Sequence, residues 1–363
     1  MKIIDLTTKT QPFQVRLDPS PVYDLLAAMY LVENWTPDRE FEIDRRWVGR
    51  ARKALGQVFR KDLRLFGKQR GFLMGLTSLL EDRPGASVPE FLSSLRASRP
   101  VDLLEDMLTA PRAARPVGPV IHNALIDPTD LAVQAAVGAY PAEFEAARVR
   151  AILALGADEA HARLVGLVSG FYERVYVNEE PQVVPILRAD VEAKQALAAA
   201  LPPVELVERA SGGFRINPES EITRVVLAPT YHFRPYNLMS EYPGARVFIY
   251  PVATGAADPP AARELTLLFK ALGDETRLRV LHMLGERDMY LQEIANRLGV
   301  THVTAIHHLA LLRAAHLVRV VERQSKNYYQ RRPESGDEIS ARLNDLLGAR
   351  RPARPDRSSL PVQ

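Results

Sequence analysis

Residues 268–330 read LFKALGDETRLRVLHMLGERDMYLQEIANRLGVTHVTAIHHLALLRAAHLVRVVERQSKNYYQ, within a run at 261–332 that behaves as one object. Two short helical patterns meet at Gly299-Val300-Thr301, and two β patterns follow. Leu291, Ile294, Ala295 and Leu298 recur at the spacing of one helix face, and Ala295 is small enough for a second helix to cross closely. Gly299 suits a left-handed turn residue, Val300 a core plug, and Thr301 the N-cap of the next helix. Ala305, His308, Leu309 and Leu312 then point inward. The order helix, tight turn, helix, β-hairpin is the one that seats a helix in a DNA major groove.

Working outward, the second helix leaves Thr301, His302, Thr304, Ile306 and His307 around its outward N-terminal half, where base edges are read. The strands 317–323 and 327–330 form a wing with Gln324-Ser325-Lys326 at its tip, so Arg319, Arg323 and Lys326 are candidates for phosphate or minor-groove contact. From Arg313 to Arg332 there are six basic residues and one acid, Glu322. Upstream, Leu265, Leu268, Phe269 and Leu272 form an apolar helix face closed by Gly273. Asp274 caps a further helix through Leu278, Leu281 and Leu284. Downstream, the stripe Ile339, Leu343, Leu346 and Leu347 has little local core to cover it, and a second copy of the chain is the expected cover.

These residues resemble the DNA-binding domain of the ArsR family of winged-helix repressors. The likeness rests on LFKALGDETRLRVLHML, LQEIANRLGVT, HHLALLRAAHLV and the wing ending in NYY, and covers about residues 263–347. It implies a homodimer, promoter binding on double-stranded DNA, and repression relieved by an effector. Metal sensors of that family carry cysteines where this chain has Tyr290 and Gln292, and cysteine is absent throughout, so no thiolate sensor is expected. Five of the eight histidines lie between His282 and His316, yet each has a simpler role in packing, DNA contact or surface, and no metal site is expected. Ile306 stands where a small polar residue is common in the family. An apolar contact to a thymine methyl would account for it.

The preceding 250 residues say less. Hydrophobic content of 47% and charged content of 25% suit ordinary globular domains, and 363 residues call for two or three of them. No apolar run is long enough to span a bilayer and the start does not read as a signal peptide, so a cytoplasmic location is expected. Helical patterns occupy 22–33, 45–66, 69–81, 88–109, 128–139, 142–155, 158–176 and 189–200; strand patterns occupy 13–17, 222–229 and 245–252. The fold class is thus mainly α, within α+β. A helical domain with a few strands (1–252) is joined by a linker (253–262) to the winged domain (263–347). A basic, Pro-rich tail (348–363) of disordered composition ends the chain.

Two features of the N-terminal region stand out. Residues 45–70 carry ten basic groups and one acid, Asp62, a face that could extend a DNA footprint or be solvated or matched within the molecule. The stretch APTYHFRPYNLMSEYP at 228–243 brings Tyr231, His232, Arg234 and Tyr236 together. They suit a small-molecule pocket or a folded-back connection that completes the core. No phosphate-binding glycine loop, HExxH or GxSxG occurs, so no catalytic residue, cofactor or enzymatic activity is expected. The expected function is a dimeric, sequence-specific transcriptional repressor modulated through its N-terminal domain. The alternative is a small-molecule-binding protein or enzyme fused to an autoregulatory winged helix.

Overall fold

The computed structural model describes residues 13–37, 41–68, 71–141, 146–216, 222–242, 244–252, 260–323, 326–333 and 335–347. The linker expected at 253–262 lies outside these up to residue 259, and the tail at 348–363 lies outside them entirely. The chain is mainly α with small sheets. It divides into two compact units, one of residues 1–254 with 320–327, the other of 255–319 with 328–363. Among the described residues no helix is long and apolar enough to cross a membrane.

The first unit runs β1 (Gln14–Leu17), α1 (Pro21–Asn34), α2 (Arg45–Gly67), α3 (Phe72–Gly75), α4 (Val88–Ala97) and α5 (Pro100–Thr109). It continues through α6 (Gly118–Ile126), α7 (Asp130–Ala139), α8 (Ala146–Leu155), α9 (Ala157–Arg174), α10 (Glu180–Ala198) and α11 (Pro203–Ala210). The strands β2 (Phe214–Arg215), β3 (Arg224–Thr230), β4 (Leu238–Tyr242) and β5 (Ala245–Pro251) follow. The 88–109 pattern is two helices because Pro100 takes the first helical position of α5, where its missing N–H costs nothing. The short helices α6 and α11 have no counterpart among the helical patterns of the sequence.

The main sheet has the order β1-β3-β5-β4, the first three strands parallel and β4 antiparallel to β5. Parallel strands are covered on both faces, and β3 and β5 are accordingly buried along nearly their whole length. Helix α1 is apolar on every side, starts at Pro21 behind the Ser20 cap, and is buried almost throughout. Close packing leaves no room at Gly75, where a Cβ would lie 2.6 Å from the Met107 Cα in α5. Gly75→Ala should therefore cost about 1–3 kcal/mol in thermal unfolding, because backbone must move. Gly166→Ala in α9, with nothing within 4 Å, should be neutral or mildly stabilising. Equal effects at the two glycines would refute the packing argument.

The second unit contains α12 (Pro260–Leu272), α13 (Glu275–Glu286), β6 (Met289–Tyr290), α14 (Leu291–Leu298), α15 (His302–Ala314) and α16 (Ser335–Leu347). The wing strands are β7 (Val318–Arg323) and β8 (Lys326–Arg331), and β8 pairs antiparallel with β6 through Met289–Tyr329 and Tyr290–Tyr328. Leu265, Leu268, Val280, Leu284, Ile294, Leu309 and Leu312 form the core of this unit. Two expected core residues are not in it: Phe269 is 52% exposed and Leu278 48% exposed, with Ala271 and Val280 buried on those helices. Ile339 and Leu343, expected to need a second subunit as cover, instead pack on the core of their own unit.

Candidate nucleic-acid interface

The turn between α14 and α15 is built as its residues require. Gly299 adopts a left-handed conformation at φ 68°, and its N–H and that of Val300 close the end of α14 onto Asn296 and Ala295. Thr301 caps α15 by accepting from the Thr304 N–H at 3.2 Å, while the two threonine hydroxyls meet at 2.9 Å. Ala305 and Leu309 turn fully inward and fix the roll of the helix. His302 is left exposed and Thr304, Ile306 and His307 half-buried, so four proposed readers sit within the first six residues of one helix.

The wing is less uniform. Arg319 donates to the Gln330 side chain at 2.6 Å, a cross-strand bond that holds the guanidinium along the hairpin. Arg323 is exposed at the end of β7, and the side chain of Lys326 lies outside the described residues. Arg323 and Lys326 fall in the 320–327 segment of the first unit, whereas the α15 residues and Arg319 belong to the second. One residue not singled out by sequence supports the frame: Arg277 is buried and donates to the Ala271 and Lys270 carbonyls at 2.9 and 2.6 Å. A cation on the last carbonyls of α12 satisfies acceptors that the helix itself cannot. The signal available in sequence was an arginine three residues after the Asp274 cap.

The aromatic stretch after β3 is gathered around a buried carboxylate in the first unit. Asp24 Oδ1 accepts from the Thr230 hydroxyl at 2.6 Å and the Tyr231 and His232 N–H groups at 2.7 and 2.9 Å. Its Oδ2 meets His232 Nδ1 at 2.7 Å and the Tyr176 hydroxyl at 2.9 Å. Burial raises the Asp24 pKa, but the attraction and hydrogen bonds of His232 outweigh it and hold the carboxyl at about 2. The His232 ring lies 4.6 Å from Trp47, and its Nε2 is buried without a hydrogen-bond partner. Arg234 stacks on Tyr231 at 3.9 Å and pairs with Glu42, leaving Nη1 buried and unbonded. Tyr236 packs edge-on against Phe41. The four sequence candidates are thus neighbours, with His232, Arg234 and Tyr236 buried.

The helix-turn-helix domain family matches residues 272–321, which span α13, α14, α15 and the start of β7. A 52-residue stretch is 42% identical to the HTH-type transcriptional regulator KmtR of Mycobacterium tuberculosis, covering 14% of this chain and 40% of that regulator. Among solved structures, HlyU of Vibrio cholerae is 27% identical, with 24% of this chain and 96% of that one covered and a TM-score of 0.20. NolR of Sinorhizobium fredii is 25% identical, with 26% and 99% covered and a TM-score of 0.21. The C-terminal part of the chain is a winged helix-turn-helix of the DNA-binding transcriptional-regulator type.

Proposed function

We propose that this protein is a sequence-specific transcriptional regulator that binds operator DNA as a homodimer, represses, and is modulated through its first unit. The observation that carries the reading is α15, capped by Thr301 after a left-handed glycine, which leaves His302 exposed and Thr304, Ile306 and His307 half-buried on a core-packed helix. The 42% identity to an HTH-type transcriptional regulator supports it over that stretch. Phe269 and Leu278, exposed on α12 and α13, support dimerisation through these helices, since large apolar groups gain most from cover by a second copy. A small-molecule effector is supported by the unbonded His232 Nε2 and Arg234 Nη1 beside Tyr231 and Tyr236. The same atoms favour the second reading, a ligand-binding or enzymatic first unit with an autoregulatory winged helix.

A mobility-shift assay on DNA upstream of the coding sequence, with salt titration, tests the reading. The chain should prefer this DNA to mixed-sequence duplex, and equal affinity would remove the proposal. Replacing His302 or Thr304 by alanine should change the preferred sequence by roughly 1–3 kcal/mol per lost base contact. Arg323→Ala and Lys326→Ala should instead weaken all sequences and flatten the salt dependence by about one phosphate each. Identical behaviour of all four variants would show that the division into readers and anchors is wrong.

A further inference from the structure

We infer that the outer face of α2 is a second DNA-backbone contact, carried by the first unit and separate from the winged helix. This rests on the reading of the chain as a DNA-binding regulator, because that reading supplies the polyanion. The inner face of α2 (Trp47, Val48, Ala51, Leu55, Leu63 and Phe66) is buried, while Arg46, Arg50, Lys53, Arg60 and Lys61 are exposed on the other. Other basic residues of the helix are engaged. Arg52 donates to the Val32 carbonyl at 2.8 Å, Arg45 lies over Trp35, and Arg64 approaches Glu33 at 3.9 Å. The sole acid of α2, Asp62, is half-buried and turned toward Arg163 at 4.0 Å.

Among the described residues, none of the five exposed cations is ion-paired. Like charges three and four residues apart repel, so this face is unfavourable alone and gains from a polyanion. Gly56, at φ 70° and ψ −177°, kinks α2 between two groups of these cations, Arg46, Arg50 and Lys53 before it and Arg60 and Lys61 after it. Gly49 lies among these cations with nothing within 4 Å of its absent Cβ, so a phosphate ribbon meets no side chain there. A membrane fits less well. An interfacial helix must offer large apolar groups to lipid, and here those are spent on the interior, with Val58 the one large apolar side chain of α2 that is exposed among the described residues.

The experiment uses the full chain and a variant carrying Arg46→Gln, Arg50→Gln, Lys53→Gln, Arg60→Gln and Lys61→Gln. Fluorescence anisotropy is followed against salt on the upstream DNA and on a mixed-sequence duplex of about 40 base pairs. The variant should bind both duplexes at least roughly tenfold more weakly, with a salt slope smaller by about 3–4 and unchanged sequence preference. A slope equal to wild type, while wild type still prefers its upstream DNA, overturns this inference and leaves the regulator reading standing. Loss of that preference in the wild type is the separate failure of the regulator reading. Variant-sensitive binding to phosphatidylserine vesicles or an acidic protein, with the DNA slope unchanged, assigns the face elsewhere and overturns it too. In the wild-type chain, duplex should protect Lys53 and Lys61 from acetylation. Equal reactivity with and without duplex overturns the inference even if the variant does not fold.

Discussion

Asp24→Ala is expected to destabilise the first unit by about 3–5 kcal/mol, because removing one member of a buried charged network leaves its partners unpaired. Five donors converge on this carboxylate: the Thr230 and Tyr176 hydroxyls, the Tyr231 and His232 N–H groups, and His232 Nδ1. Asp24, Thr230, His232 and Tyr176 have no exposed surface, so their donors cannot turn to water instead. The effect should depend on pH with a definite sign. Because the folded carboxyl is held at about 2, below its ordinary value, its contribution is complete above about pH 5 and is lost as pH falls through the folded value. The shift corresponds to about 2–3 kcal/mol. Chemical denaturation of wild type and variant from pH 6 to pH 2 should show their difference shrinking toward acid. A gap that stays constant would place the stabilisation in packing and not in the charge.

Arg246→Ala is expected to cost a similar amount by the opposite route. Arg246 is buried between two buried carboxylates, donating to Glu241 and, at 2.8 Å, to Glu322. Burial lowers the arginine pKa, but the hydrogen bond to Glu322 and the charge of Glu241 more than reverse this and raise it. Without the guanidinium both buried glutamates lose a charged donor, Glu241 keeping Arg115 at 3.3 Å, a change worth about 3–5 kcal/mol. Hydrogen exchange provides the local readout. Val320 N–H donates to the Gly213 carbonyl at 2.7 Å beside this triad, and β2 pairs with Val320 and Val321. Amides from Val320 to Asn327 should therefore exchange faster in the variant. Unchanged exchange there, with stability reduced elsewhere, would refute the role given to Arg246.

The winged unit was legible because its signals are local. A left-handed glycine, a threonine cap and leucines every three or four residues each act within one turn of chain, and Gly299, Thr301, Leu309 and Leu312 occupy the expected places. The pattern misled at Phe269 and Leu278, since periodicity marks an apolar face wider than the strip a small core can cover. In the first unit most helices and three strands could be read, but α6, α11 and the order of the sheet could not. The Asp24–His232 pair joins positions 208 residues apart and Arg246–Glu322 joins positions 76 apart, distances over which side-chain spacing carries no information. Tyr231, His232, Arg234 and Tyr236 announced themselves by composition. Asp24, which organises them, lies in an apolar helix and gave no signal.

The segment Val320–Asn327 sets the timing of the protein's birth on the ribosome. Domains usually fold in the order they emerge, at synthesis rates of about 5–20 residues per second. The first unit is missing these residues until 73 more have followed Thr254, a delay of roughly 4–15 s. During that interval Arg246 and Glu241 face each other without Glu322, and the edge of β2 has no partner strand. The nascent N-terminal region must therefore wait, nearly complete, for a short peptide made well after it. A nascent chain stalled before that peptide has emerged carries an unfinished first unit.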